Sequence, residues 1–355
     1  MGSKPAPDPE FVLRGHRCDV QVLLFHPAKA LLYSGDAGGE VKVWDLQQRR
    51  ANSTHRLHDV QAGVVCLKIL TAQQLLVTQG RDGVIKSWKI NSDGAPASEP
   101  CQVICTGSYN FCRFDLQLQP PSLASLQPGA ADPQQQPEQH SCDSMDSRCE
   151  APVIAVAGSD PAIVEIWDLQ RNVVKQQLKQ PEDGTKHGMC MALQLFHAPT
   201  EARPQCLAAG YEDGTVAIWD LSQPAEPAMQ LRLHTEPVMC LQIDSHGTGG
   251  VSGSADDKVV SFSLDFEQPC MHIRHAAVLP KPGIGDLALR PDDKIVASGD
   301  WDGKLRIFQY KKLKALAILQ FHRAAITAVC FNQHDSRIAS ASRDGTIAVW
   351  SVFAL

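Results

Sequence analysis

A short β-branched strand that follows Gly or Asp-Gly and ends on an aromatic residue recurs seven times in this chain of 355 residues. The clearest copies are GYEDGTVAIWDL and SASRDGTIAVWSV. Four of the six gaps between successive closing aromatics lie between 42 and 46 residues, the period of a four-stranded propeller blade. One blade cannot bury both faces of its sheet, so the repeats predict a single all-β, seven-bladed propeller. The closing aromatics are Trp44, Trp88, Trp167, Trp219, Phe262, Phe308 and Trp350.

The N-terminal segment is expected to close the ring. Residues 11–14 (FVLR) have no blade of their own, and the last repeat ends near Leu355 without a fourth strand. Pairing of these two segments would remove an exposed sheet edge. The sequence therefore predicts a disordered N-terminus over residues 1–10 and one propeller over residues 11–355.

Residues 119–150 interrupt the third repeat. They are rich in Pro, Gln, Ser and Asp and hold few β-branched or aromatic residues. Such a segment cannot bury enough apolar surface to offset the entropy of ordering, so we predict a disordered insertion between two strands of blade three. It is either a spacer or a regulatory segment, in which Ser147 precedes Glu150 as acidophilic kinases prefer.

Charge and cysteine usage narrow the class of protein. The net charge of −6 provides no basic field for nucleic acid. The first ten residues hold no apolar run, so we expect no secretory signal, and no segment is apolar enough to span a membrane. Cysteines that recur in the same strand of four blades read as buried apolar residues, and the others follow no disulfide framework. We expect a cytoplasmic and nuclear protein. The recurring cysteines are Cys66, Cys190, Cys240 and Cys330.

His, Ser or Thr, Asp and Trp recur in two blades at the spacing of a buried hydrogen-bond relay. Blades five and six keep only part of this pattern, as Ser252-Asp256-Phe262 and Ser298-Asp302-Phe308. A catalytic triad is needed once, whereas a structural network is needed in each blade, so these residues are interpreted as structural. The complete sets are His58, Thr78, Asp82 and Trp88 in blade two, and His322, Ser340, Asp344 and Trp350 in blade seven.

Motifs for metals, cofactors and catalysis are missing. Two groups of metal-type residues lack the paired spacing and the fourth ligand of a zinc site. The sequence also has no phosphate-binding loop and no dinucleotide fingerprint after a strand. We therefore predict a protein that is not an enzyme and needs no cofactor. The two groups are Cys270, His272 and His275, and His140, Cys142 and Cys149.

Candidate partner-binding residues precede the turn Asp of each blade, because this position should project onto one rim of the ring. Trp301 is prominent because it is not a closing aromatic, and an exposed Trp beside Arg is typical of a binding hot spot. The alternative is that it packs on a neighbouring loop. Tyr211, beside Glu212, is a second candidate. The rim positions are Arg81, Glu212, Ala255, Trp301 and Arg343.

These repeats resemble the WD-repeat (WD40) superfamily over residues 11–355. DPEFVLRG, EPVMCLQIDS and PGIGDLALRPDDKIVASGDWDGKLRIF are similar to the family of guanine nucleotide-binding protein subunit beta-like protein 1, whose fungal relatives are ASTRA-associated proteins. This resemblance implies a non-catalytic adaptor that acts with the TTT cochaperone assembly in folding and stabilising phosphatidylinositol-3-kinase-related kinases of DNA-damage and growth signalling. It also implies a monomeric propeller within a larger complex.

Two alternative functions remain. A G-protein-beta-like signalling scaffold would need a long N-terminal helix to pair with a gamma subunit. The ten Pro-containing residues before Phe11 are too short for one, so no gamma subunit is expected. A substrate receptor of a cullin ubiquitin ligase often carries Arg three residues after the Trp of a Trp-Asp pair. Gln47, Gln170 and Ser222 occupy those positions.

Overall fold

The computed structural model describes residues 8–107, 111–118, 152–180, 186–200 and 204–352. These ranges form seven antiparallel four-stranded sheets and a 3-10 turn at Thr71–Gln73. The insertion predicted at 119–150, with Ser147, lies outside them. The first strands are β1 (Phe11–Arg14), β2 (Val20–Phe25), β3 (Leu31–Asp36), β4 (Glu40–Asp45), β5 (Arg50–Arg56), β6 (Val64–Leu70), β7 (Leu75–Gly80), β8 (Val84–Lys89), β9 (Gln102–Cys105), β10 (Asp115–Leu118), β11 (Pro152–Ala157), β12 (Val164–Asp168) and β13 (Val173–Leu178).

The remaining strands continue the same four-strand pattern around the ring. They are β14 (Cys190–His197), β15 (Gln205–Tyr211), β16 (Thr215–Asp220), β17 (Met229–Arg232), β18 (Val238–Ile243), β19 (Gly249–Ser254), β20 (Lys258–Asp265), β21 (Cys270–Val278), β22 (Ile284–Leu289), β23 (Ile295–Asp300), β24 (Lys304–Gln309), β25 (Lys314–Gln320), β26 (Ile326–Phe331), β27 (Arg337–Ser342) and β28 (Thr346–Ser351). Among the described residues, no helix has the length and apolar character needed to cross a membrane.

Blades one to six each use four consecutive strands, from β2 to β25. The first strands of neighbouring blades contact one another at six of the seven junctions, including β2 with both β6 and β26. Blades two and three pack in a shared hydrophobic cluster, so the ring is continuous. The predicted seven-bladed propeller is therefore confirmed.

β1 completes blade seven. It pairs antiparallel with β28, with Phe11 opposite Val349 and Leu13 opposite Ile347. Leu13 is only 1% exposed and packs in a cluster with Trp44 of blade one and Ala339 of blade seven. The two ends of the described chain are thus joined in one sheet, and the expected closure by an N-terminal strand is confirmed.

The closing aromatics explain why the repeat has this form. Each one packs on the blade that precedes it: Trp88 against Tyr33 and Val43 of blade one, and Trp219 against Ala155 of blade three. The same holds for the other closing aromatics, with Phe262 and Phe308 in place of Trp in blades five and six. The period therefore reports contacts between blades, which bury the faces that one blade leaves open.

Arg113 links opposite sides of the ring. The first strands of blades one and seven contain β-bulges at Gln21 and Thr327, where the ladder shifts register. The guanidinium of Arg113, just before β10, donates to the Gln21 carbonyl at 3.1 Å and the Thr327 carbonyl at 2.8 Å. Its other terminal nitrogen lies 3.0 Å from Oδ2 of Asp286 in blade six. One side chain thus joins blade three to blades one, six and seven.

Candidate functional site

In blade seven, the structure brings the predicted relay residues together. Nε2 of His322 lies 2.8 Å from Oγ of Ser340, which also accepts the indole N–H of Trp350 at 3.1 Å. Nδ1 of His322 lies 3.4 Å from Oδ2 of Asp344. The chain of polar side chains connects the loop before the blade, the second strand, the turn and the third strand.

The relay of blade two lacks one link. His58 contacts Oγ1 of Thr78 at 2.8 Å, and Thr78 accepts the Trp88 indole at 3.1 Å. Among the described residues, however, His58 Nδ1 has no hydrogen-bond partner, and Asp82 accepts from the backbone of its own turn. Burial, with the nearby Lys86 ammonium, lowers the pKa of His58 to about 3, so its imidazole is neutral. The expected contact between His58 and Asp82 is therefore corrected.

Sequence reasoning missed the histidine of two further relays. In blade five, His234 lies 2.8 Å from Ser252 and 3.0 Å from Asp256. The signal was available, because His234 stands four residues before its first strand, as His322 does. Phe262 closes this blade and provides no indole N–H to the serine.

Blade one contains the other missed relay. His16 contacts Ser34 at 2.6 Å and Asp36 at 2.7 Å, and Ser34 accepts the Trp44 indole at 2.7 Å. Asp36 ends the second strand instead of lying in the turn. It still stabilises the turn, because its Oδ1 accepts from Gly38 and Glu40. The sequence pattern requires Asp in the turn, so it does not identify an Asp at the end of the second strand.

The relay hydroxyls are enclosed. Ser34, Thr78, Ser252 and Ser340 have no exposed surface. Three of them also accept an indole N–H, which occupies the oxygen that a nucleophile would use. A substrate cannot reach these oxygens without unfolding the blade, so the arrangement acts as a support for the turns.

Blade six replaces the histidine with an arginine. Pro280 stands four residues before the first strand, where His occurs in other blades. Arg306 of the third strand instead bonds to both Asp300 and Asp302, with 2.9 Å between Nη2 and Oδ2 of Asp302. Burial raises the pKa of Asp300 to about 7, although the arginine opposes this shift. A single guanidinium thus supports two carboxylates beneath the turn that carries Trp301.

The relays hold one face of the ring, called the upper face. It consists of the loops leading into each first strand and the turns between second and third strands. In six blades the first residue of that turn donates its backbone N–H to the preceding loop at 2.9 to 3.0 Å. Five of these six are the predicted rim positions, so they share one backbone environment. The pairs are Ala37–Asp19, Arg81–Ala62, Glu212–Met189, Ala255–Pro237, Trp301–Gly283 and Arg343–Ala325.

Trp301 is both packed and accessible. Its indole lies against Gly283, where an added Cβ would come within 2.1 Å of the ring. Gly283 has a φ of +99°, a conformation that glycine adopts readily. The other side of the indole faces solvent, since 44% of the residue is exposed. The structure therefore combines the two interpretations of Trp301. One side of the indole packs on a neighbouring loop, and the other is accessible to a partner.

The other candidate residues differ in solvent exposure and in their contacts with neighbouring side chains. The Arg81 guanidinium lies 4.8 Å from the centroid of the Phe111 ring, and 65% of the Phe111 residue is exposed. Glu212 and Arg343 are exposed. Tyr211 is 1% exposed, because it ends a second strand and packs in the core between blades three and four. The expectation that Tyr211 contributes to the surface is therefore wrong.

A shallow depression beside Arg81 was not anticipated. Its volume is about 550 Å³, and the apolar side chain of Val60 is exposed at its edge. It is lined by Asp59, Val60, Gln61, Ala62, Arg81 and Asp82. The loop around Val60 is longer than its counterpart in blade seven, and sequence periodicity carries no information on loop shape.

Comparison with known proteins places the chain in a family. The family described as WD domain, G-beta repeat matches residues 7–45, 272–309 and 313–351. Guanine nucleotide-binding protein subunit beta-like protein 1 of Mus musculus is 33% identical over 354 residues, covering 98% of this chain and 97% of that protein. The chain belongs to the family of this beta-like protein 1. The resemblance expected from the sequence motifs is thus confirmed.

Two fungal relatives of this chain are named ASTRA-associated protein 1. The protein from Aspergillus niger is 26% identical, over 94% of this chain and 82% of its own length. The protein from Schizosaccharomyces japonicus is 25% identical, over 98% and 99%. The likeness extends around the whole ring, whose repeats are those of a protein-interaction scaffold.

In the part of this chain that the structure describes, no three His, Cys, Asp or Glu side chains are arranged to hold a metal ion. Sγ of Cys270 lies 3.2 Å from Nε2 of His272 on the outer strand β21, without a third ligand. The second candidate group, His140, Cys142 and Cys149, lies outside the described residues.

Proposed function

We propose that this protein is a non-catalytic adaptor that acts with the TTT cochaperone assembly in the folding and stability of phosphatidylinositol-3-kinase-related kinases. The likeness to proteins named ASTRA-associated protein 1 carries the proposal, because it covers at least 92% of this chain in each of those relatives. A likeness over all seven blades favours a shared role of the whole ring.

The upper face supports an adaptor role. Val60, Phe111, Met189 and Trp301 are large apolar residues exposed on this face. Aromatic side chains held rigidly at a surface lose little conformational entropy on binding, which makes them effective anchors. The enclosed relay hydroxyls support a scaffold in preference to an enzyme, since substrate has no access to them.

Acute depletion of the protein tests the kinase role. We expect the protein levels of these kinases to fall over their normal turnover time while their transcripts stay constant, because unassembled clients are degraded. Affinity purification of the tagged protein should recover TTT subunits. Unchanged levels of all the kinases, with no TTT subunit recovered, would falsify the proposal.

Replacement of Trp301 tests whether the upper face binds the partner. Trp301→Ala should reduce recovery of TTT subunits about tenfold or more, as expected for a Trp hot spot. The matched control is Ile273→Ala, which removes a similarly exposed side chain from outer strand β21. Both variants should melt within about 2 °C of the wild type. If TTT subunits were recovered equally with the two variants, Trp301 would not be part of the binding surface.

We expect the adaptor in both the cytoplasm and the nucleus. Imaging of the endogenously tagged protein checks this expectation, and confinement to a secretory or membrane compartment would contradict it.

A further inference from the structure

Four exposed cations lie on the upper face in three successive blades. Lys281, Arg323 and Arg17 come from the loops leading into blades six, seven and one, and Arg343 begins the turn of blade seven. Together with Trp301 they are called the basic arc. In the described ranges, none of the four cations forms an ion pair.

The blade-six half of the basic arc is continuous. Trp301 lies on Gly283, two residues after Lys281. At the other end of the same turn, a Cβ on Gly303 would lie 3.0 Å from the carbonyl oxygen of Ala324, next to Arg323. The backbone of one turn therefore approaches both neighbouring loops, so the loop positions of Lys281 and Arg323 flank the turn that carries Trp301.

The blade-seven half continues it. The backbone N–H of Arg343 donates to the carbonyl of Ala325 at 3.0 Å, within the loop that carries Arg323. A Cβ on Gly345 would lie 3.4 Å from the carbonyl oxygen of His16, next to Arg17. The four cations and the indole thus follow one path along the rim.

Asp302 and Asp344 on this path form bonds within the turns, and Asp19, in the loop that carries Arg17, is half-buried. Asp302 contacts Arg306 at 2.9 Å and Lys304 at 3.7 Å. Asp344 accepts from the Arg323 backbone and from Thr346. The carboxylates of Asp302 and Asp344 therefore stabilise the turns. The four cations of the basic arc, which form no ion pair in the described ranges, can attract an anionic ligand.

The rest of the upper face is mainly acidic, although Arg81 and Lys186 also lie there. Asp59, Glu212 and Glu236 are exposed in the loops and turns of blades two to five, and Asp257 is half-buried there. The face is therefore polarised, although the chain carries a net charge of −6. Complementary fields of this kind steer association and select partners.

We propose that the basic arc binds an acidic segment of a partner protein, which places an apolar side chain against Trp301. This inference rests on the proposed adaptor function, since it names the chemistry of the partner. A long polyanion such as RNA or DNA would extend over the acidic blades and be repelled, whereas a short acidic peptide fits within the arc. The exposed indole gives the peptide a site for an apolar anchor.

A synthetic peptide tests the charge requirement. The probe is a fluorescein-labelled peptide of alternating Glu and Ser with a central Phe, measured by anisotropy against the purified full-length protein. We expect binding at low ionic strength that weakens as salt rises, because exposed charges are screened. The same peptide with Gln for every Glu should bind at least tenfold more weakly. Equal binding of the two peptides would overturn the proposal.

Charge reversal locates the site. Arg323→Glu combined with Arg343→Glu should weaken binding about tenfold or more and flatten its salt dependence. The control is Lys311→Glu with Lys312→Glu, which makes the same charge change in the exposed turn between β24 and β25, on the opposite face. It should change affinity less than twofold. Equal loss in both variants would show a general charge effect and no site.

The aromatic contact has its own readout. Trp301→Ala should weaken the Phe-containing peptide about fivefold, and should leave a peptide with Ser in place of Phe unaffected. Tighter binding of single-stranded DNA or of anionic vesicles, lost in the same charge-reversal variant, would instead assign the arc to those ligands and refute the proposal. Because these assays use pure components, failure to recover TTT subunits from cells would contradict the proposed function alone.

Discussion

Removal of the Leu13 side chain tests whether β1 closes the ring in solution. Leu13 is almost fully buried and packs where blade one meets blade seven. A Leu→Ala change at such a site costs about 2–5 kcal/mol, from lost apolar burial and the remaining cavity. Because folded domains are stable by roughly 5–15 kcal/mol, Leu13→Ala should remove a large share of the free energy of unfolding.

Thermal and urea unfolding measure this loss. At roughly 2.1 cal/mol/K of unfolding entropy per residue, a domain of this size should melt about 3–8 °C lower. Val12→Ala is the matched control, because Val12 lies on the same strand, is half-buried and faces the other side. It should cost no more than about 1 kcal/mol. If the two variants lowered the melting temperature equally, β1 would not close the ring as described.

Two further perturbations concern buried charge. The pKa of Asp300 is about 7 when folded and 3.8 when unfolded, so the folded state binds the extra proton and stability falls as pH rises between these values. Asp300→Asn should remove this slope, about 1.4 kcal/mol per pH unit at most, and parallel stability curves would contradict it. Arg113→Met removes the cation paired with Asp286 and leaves its carboxylate only the backbone N–H of Val329, so it should cost about 1–3 kcal/mol, a value reduced for the 35% exposure of the Arg113 side chain. The control is Lys68→Met, which breaks a salt bridge between adjacent blades. Its urea midpoint should fall less than that of Arg113→Met. An equal fall in both variants would show that Arg113 contributes no more to stability than a bridge between neighbouring blades.

The fold was predictable because its pattern is local and repeated. Turn residues, β-branched strands and a closing aromatic recur in each blade, and every closing aromatic packs on the blade before it. A periodic contact of this kind leaves a periodic trace in the sequence. The closure by residues 11–14 followed from the same counting, since one blade lacked a strand.

The candidate site was predictable only in part. The rim positions followed from the turn Asp, and the structure places Arg81, Glu212, Trp301 and Arg343 together on the upper face. Tyr211 was misplaced because neighbouring residues at the end of a strand face opposite sides, and its exposure depends on packing between two blades. The relay of His234 was missed although this histidine has the same spacing to its first strand as His322. The relay of His16 was missed because its partner Asp36 ends the second strand instead of lying in the turn.

Sequence by itself determined the number of blades, the closure of the ring and the identity of the turn residues, because these depend on short segments that repeat. Only the tertiary structure decided which side chains meet across the ring and along its rim. Arg113 reaches blades one, six and seven, and the basic arc joins cations far apart in the chain. The physical reason is that the ring brings the first and last described strands together, and a repeat pattern does not encode contacts between non-equivalent blades.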